Sequence, residues 1–249
     1  MHKFTDKSPT QRALFAQKRR RILLAMLVVF GVLSAPLGAA VTPRLYVFAT
    51  ADMRAQAFEK HLEAQLPGVD VTVFSRIHEF ESALADRPEA ALAQRPVLEA
   101  LGLRPELQGL SGDRATERYV LMAANTPVSA GELQGKTLGV VDVLGRKRMD
   151  GFVGAMLGTA SPKLKYVTHE RDLLPLLQFN AAAAVVLSES WARRLREKSE
   201  MNLRTTPVTN EVGLPAVVYS SPQAKSALDG KIRAAGRALN ESLGVTQWR

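Results

Sequence analysis

The feature that most constrains this chain is the alternation of two apolar periods along residues 44–243. Short β-rich runs, RLYVFAT (44–50), DVTVFS (70–75) and EAALAQ (89–94), are separated by segments of helical period. The first of these, ADMRAQAFEKHLEAQL, carries Phe58, Leu62 and Leu66 at a spacing of four, which places them on one helix face. Pro67 and Gly68 then end the helix. A strand–helix–strand–helix–strand order predicts parallel strands covered by helices.

The alternation restarts after ERYVLMAAN (117–125). TLGVVDV (137–143), LKYVTH (164–169) and AAAAVVLS (181–188) read as strands, and RKRMDGFVGAML, ERDLLPLLQF and ESWARRLREKS as the helices that follow them. Two such units, each small for an independent domain, predict one bilobed body with a cleft between the lobes. PAVVYSS (215–221) matches YVLMAAN in length and character, so these two runs are expected to cross between the lobes as paired strands. A helix over 222–243 is expected to pack back on the first lobe. The expected fold is therefore α/β: two small, mostly parallel sheets with flanking helices, residues 41–126 plus 215–249 in lobe 1 and 127–214 in lobe 2.

Residues 1–40 read as a secretory signal peptide rather than as part of this fold. Lys18 and Arg19–Arg21 precede an apolar run over 22–33, and Ser34, Ala35, Pro36 and a Gly38-Ala39-Ala40 terminus follow. The run falls short of the roughly 20 residues of a spanning helix, so cleavage after Ala40 and a periplasmic location are expected, with an uncleaved anchor as the alternative. The whole chain has a formal net charge of +9. Beyond residue 40 it holds 26 Lys/Arg against 23 Asp/Glu, a net +3. With sparse, scattered aromatics, neither a basic stripe nor a stacking platform for nucleic acid is present. The absence of cysteine excludes thiol catalysis, disulfides and a lipid-modified Cys. His2, His61, His78 and His169 show no metal-ligand spacing, so no metal and no cofactor is expected.

In open α/β sheets ligands bind beyond the carboxyl ends of the strands. That rule selects Thr50, Ser75, Gln94, Arg95, Asp142, Arg146 and Ser188 as candidate ligand-binding residues. For Thr50, Ser75 and Ser188 the competing role is helix capping. The turn VLGRKRMDG places three cations at a helix N-terminus, where each is disfavoured by about 0.3–1 kcal/mol. At 100° per residue Arg146 shares the apolar arc of Met149 and Val153, Lys147 lies opposite, and Arg148 sits near its edge. Arg146 is thus expected to face the cleft and grip a carboxylate or phosphate; its alternative is an i to i+4 pair with Asp142. The acid pairs Glu79/Glu81 and Glu170/Asp172, at i, i+2 spacing, share no helix face and read as solvated charges. No serine-elbow, P-loop or dinucleotide motif appears, which argues against an enzyme.

KTLGVVDV after SAGELQG resembles the entry into the second lobe of type 2 periplasmic solute-binding proteins, and ESALADRPEAALAQRPVLEAL resembles their first-lobe helix–strand pair. RDLLPLLQFNAAAAVVLSES is similar to a second-lobe segment, and EVGLPAVVYSS to their return strand. The nearest group is the phosphate and phosphonate binding proteins. Their Ser/Thr cluster is missing, however, where this chain has Asp142-Val143-Leu144-Gly145-Arg146. Asn180 stands where the family often has Gly, a residue type that tolerates the left-handed conformation, and Ala183 where it often has Asp. The resemblance implies a protein that captures a small anion for an ABC permease by hinge closure, with rotation near 125–129 and 213–216; a monomer is expected. The alternative it leaves open is a periplasmic sensor or partner-binding module.

Overall fold

The computed structural model describes residues 42–50, 54–158 and 162–249. The expected signal peptide and its cleavage site at Ala40 lie outside the described residues. Among the described residues no helix is long and apolar enough to cross a membrane.

The first half runs β1 (Arg44–Phe48), α1 (Ala55–Gln65), β2 (Asp70–Phe74), α2 (Ile77–Ala83), β3 (Ala90–Gln94), α3 (Arg95–Ala100) and β4 (Leu107–Leu110). Two short segments, β5 (Thr116–Glu117) and β6 (Tyr119–Ala124), lead to β7 (Thr137–Val141), α4 (Arg146–Leu157), β8 (Lys163–Val167), α5 (Leu173–Gln178), β9 (Ala184–Ser188), α6 (Glu189–Lys198) and β10 (Leu203–Pro207). The return path is β11 (Val212–Gly213), β12 (Pro215–Tyr219), α7 (Pro222–Ala234), α8 (Arg237–Ser242) and β13 (Gln247–Trp248).

These strands form two larger sheets, ordered β13-β4-β12-β3-β1-β2 and β10-β6-β9-β7-β8. Each has a parallel core, β2-β1-β3 in one and β8-β7-β9 in the other. The remaining neighbours are antiparallel. The sheets are therefore mixed rather than mostly parallel: β6 and β12, which arrive from the other lobe, run opposite to the parallel cores, as does β13 at the edge of the first sheet.

The expected pairing of YVLMAAN with PAVVYSS is corrected by the register. β6 pairs β9 and β10 in the second sheet, whereas β12 pairs β3 and β4 in the first. The segments that cross together are β5 and β11, with Val212 opposite Glu117 and Gly213 opposite Thr116. Tyr119–Ala124 accordingly lies in the second sheet, although the sequence boundary at residue 126 left it in the first lobe. The single helix expected over 222–243 is two, since Ala235 turns to ψ 135° and stops α7. Ala224, Leu228 and Ile232 of α7 do pack beneath the first sheet. Asn180 adopts φ 52°, the left-handed conformation that lets it end α5.

An ion pair ties the start of β1 to the segment before β3. Glu89 Oε2 accepts from the Arg44 backbone N at 2.8 Å and from its Nε at 3.3 Å. The backbone N–H of Arg44, helped by its guanidinium, holds the Glu89 carboxyl below the usual glutamate range. A depressed carboxyl stabilises the fold above its unfolded pKa, and that contribution is lost as pH falls through the lower, folded value. Urea midpoints measured from pH 7 down to pH 3 should therefore fall less steeply for Glu89→Gln than for the parent; parallel curves would show that the pair contributes nothing.

Candidate functional site

A cleft of about 850 Å³ opens between the two sheets and takes lining residues from both. From the first sheet come Phe48, Thr50 and Leu92, with Gln94 at the end of β3. From the second sheet and the helix after β9 come Tyr119, Ser188, Ser190 and Trp191; the carboxylates of Glu117, on the crossing strand β5, and Glu170, after β8, complete that side. Arg114, Arg118, Arg193 and Arg194 are exposed around it.

The polar groups on the second-sheet side are linked. Ser188 is the one fully buried polar residue among those described. Its Oγ accepts from the Trp191 backbone N at 3.3 Å, capping α6, and lies 3.0 Å from Ser190 Oγ. The Ser190 hydroxyl donates to Glu117 Oε1 at 2.6 Å. From the opposite side Gln94 Nε2 donates to the Tyr119 hydroxyl at 3.4 Å, so one weak hydrogen bond spans the cleft. Burial pushes the Tyr119 hydroxyl well above the ordinary tyrosine pKa, and the negative charges of Glu170 and Glu117 push it further. It stays protonated at neutral pH and is available as a donor. Arg194 stacks over the Trp191 ring, 4.4 Å from its centroid, making a flat cationic shelf beside the serines.

Three of the seven sequence candidates, Thr50, Gln94 and Ser188, line this cleft, and four do not. Ser75 is half-buried at the end of β2. Neither Thr50 nor Ser75 caps a helix: Arg54 and Arg76 hold those positions, without side-chain caps. Arg95 pairs with Glu99 at 2.7 Å, and its stem covers Gly213. Asp142 binds Val167 O through its backbone N at 2.9 Å, and its buried Oδ1 has no partner among the described residues.

Arg146 is exposed and lies over the Tyr166 ring at 5.6 Å, away from the cleft and without an ion pair to Asp142 among the described residues. Helical phase put this side chain toward the cleft, and the structure turns it elsewhere. In the turn before it Leu144 is buried, and a Cβ on Gly145 would stand 3.6 Å from Ile77 Cγ2. Apolar side chains fill the inward end, and the guanidinium turns out to an aromatic face.

Sequence reading missed Glu117, Tyr119, Glu170 and Trp191. Tyr119 opens β6, which runs antiparallel to β9 with Tyr119 opposite Ser188. The first residue of an antiparallel strand thus reaches the end of the sheet where parallel strands finish, a case the carboxyl-end rule does not cover. Glu170 follows β8 and was within reach of that rule. It is half-buried in the cleft rather than a solvated charge, whereas Glu81 is exposed and pairs with Arg148.

No family model matches the chain, and no curated protein sequence matches it. Solved structures do. The substrate-binding protein of an amino acid ABC transporter superposes with a TM-score of 0.52 at 18% identity, covering 77% of this chain and 90% of its own. The periplasmic VFT2 domain of Bordetella pertussis BvgS gives 0.51 at 14%, covering 81% and 92%. The GluR0 ligand-binding core in complex with L-glutamate gives 0.53 at 15%, covering 83% and 98%. At such identities the likeness establishes architecture: this chain has the bilobed α/β fold of type 2 periplasmic binding proteins.

Proposed function

We propose that this protein is a periplasmic solute-binding protein, exported by residues 1–40, whose cleft holds a small molecule bearing both a cationic and an acidic group. The observation that carries the reading is the cleft itself, enclosed by both sheets and lined by charges of both signs. Glu117 and Glu170 suit an ammonium or guanidinium group, and the exposed arginines suit a carboxylate. The neighbours add weight: one belongs to an amino acid ABC transporter and another was determined with L-glutamate. A purely anionic phosphate or phosphonate ligand, which the resemblance to that group implies, has less support. That arginine lies elsewhere, and the hydroxyl cluster of the phosphonate group is absent.

The test is a thermal-shift panel of the L-amino acids, inorganic phosphate and methylphosphonate. A ligand at 100 times its Kd stabilises by about 2.7 kcal/mol, which for a domain of this size is roughly 5–11 °C in Tm. An amino acid giving that shift supports the proposal; a shift with phosphate or methylphosphonate alone contradicts it. With the ligand in hand, Glu170→Gln should weaken binding about 10- to 100-fold by calorimetry, equivalent to about 1.4–2.8 kcal/mol. An unchanged Kd would remove Glu170 from the site.

A second reading, a sensor or partner-binding module rather than a transport receptor, is favoured by one observation: a single hydrophobic cluster includes residues from both lobes. Permease and ATPase genes beside this one would support transport, and a sensor kinase gene would support signalling.

A further inference from the structure

The expected mechanism for a bilobed binder is rotation about the crossing strands, and the packing between the lobes bears on it directly. Ile77 and Phe80 of α2, on the first sheet, belong to the same buried cluster as Leu144, Met149 and Val153 of the second. Ile77 and Leu144 are each 5% exposed. The chain turns into α4 through Gly145 at φ 78°, a conformation that favours glycine, and this turn rests on Ile77. At the rim of the apolar contact Arg148 Nη2 donates to Glu81 Oε1 at 3.0 Å and Nη1 to Glu81 Oε2 at 3.4 Å, a two-pronged pair from α4 to α2. That pair accounts for a cation at a helix N-terminus, where the macrodipole disfavours it: its carboxylate comes from the other lobe. Gln94 to Tyr119 adds a hydrogen bond across the cleft, and the stem of Arg95 packs on Gly213 of the crossing strand.

We propose that this seam, Ile77 and Glu81 against the Leu144–Arg148 turn, keeps the two lobes docked without ligand, so that the cleft is preformed and solute enters through its mouth instead of being trapped by hinge closure. Opening the lobes would return Ile77 and Leu144 to water and break a bidentate ion pair, and both oppose rotation. The proposal stands on packing alone and does not depend on which solute binds.

Pulsed electron–electron resonance on the full chain tests it. The protein has no cysteine, so spin labels on Glu63→Cys in α1 and Arg196→Cys in α6, both exposed, report one distance between the lobes. In protein stripped of solute by unfolding and refolding, a single narrow distance distribution is expected. Adding Ile77→Asp together with Arg148→Glu should broaden it toward longer distances. The milder Arg148→Glu alone should broaden it partly, and circular dichroism should confirm that each variant is folded. A broad or two-peaked distribution in the unsubstituted background would overturn the proposal. So would folded seam variants whose distribution matches that background.

Discussion

Replacing Phe80 with alanine is expected to cost about 3–5 kcal/mol of stability, the range for removing a buried aromatic ring. Phe80 is fully buried, and its ring stands 5.7 Å from that of Phe48 and 5.8 Å from that of Phe74, whose neighbour Tyr46 lies 5.4 Å further on. The aromatic set joins α2 to β1 and β2, so truncating its most enclosed member leaves a cavity that strands on a paired ladder cannot collapse to fill. Urea unfolding should show a lower midpoint at an unchanged slope. A loss under about 1 kcal/mol would mean that the neighbouring rings close the gap.

Gly139→Ala is expected to destabilise by about 1–3 kcal/mol through overpacking. Gly139 sits in β7 between β8 and β9. A Cβ there would come within 2.6 Å of Leu176 Cδ1 and 2.8 Å of Val185 Cγ1. Leu176 can rotate, but Val185 is fixed in the neighbouring strand, so α5 must lift from the sheet. Gly151→Ala is the control: nothing lies within 4 Å of its Cβ position, and it is in an exposed helix interior. It should be neutral or stabilising by up to about 1 kcal/mol. Equal midpoints for the two variants would refute the close approach at Gly139.

Most of the architecture was legible because it rests on period. The runs around Leu45–Val47, Val71–Val73 and Leu138–Val140 alternate or cluster as buried parallel strands do, and each is a strand. The strands that sequence did not announce are LQGL, LRTTP and QW, which carry no apolar run and exist through their partners β12, β6 and β4. The crossing was misplaced for a related reason. YVLMAA is the stronger strand, but the residues that bridge the lobes are the polar pair Thr116-Glu117 and their partners Val212-Gly213. Pairing of two residues leaves no periodic trace.

Part of the cleft lining was legible at the ends of parallel strands, where topology fixes position: Thr50, Gln94 and Ser188 lie where chain direction puts them. Arg146 shows the limit of phase, which gives the azimuth at which a side chain leaves the helix but not where its far end goes. In the same turn Arg148, ambiguous by phase, is the residue that reaches the other lobe, because Glu81 lies 67 positions away in sequence and next to it in space. Contacts of that kind follow from tertiary packing and have no local signal.

The claim that the cleft holds a small solute is tested most directly by native mass spectrometry of the protein purified without denaturation. Wild-type protein should carry one small-molecule adduct per chain that is lost on collisional activation. Thr50→Trp, which fills the cleft from the first sheet, should show the bare mass. A bare wild-type spectrum that no amino acid in the panel alters, or an adduct equally abundant in Thr50→Trp, would contradict a solute site between these two sheets.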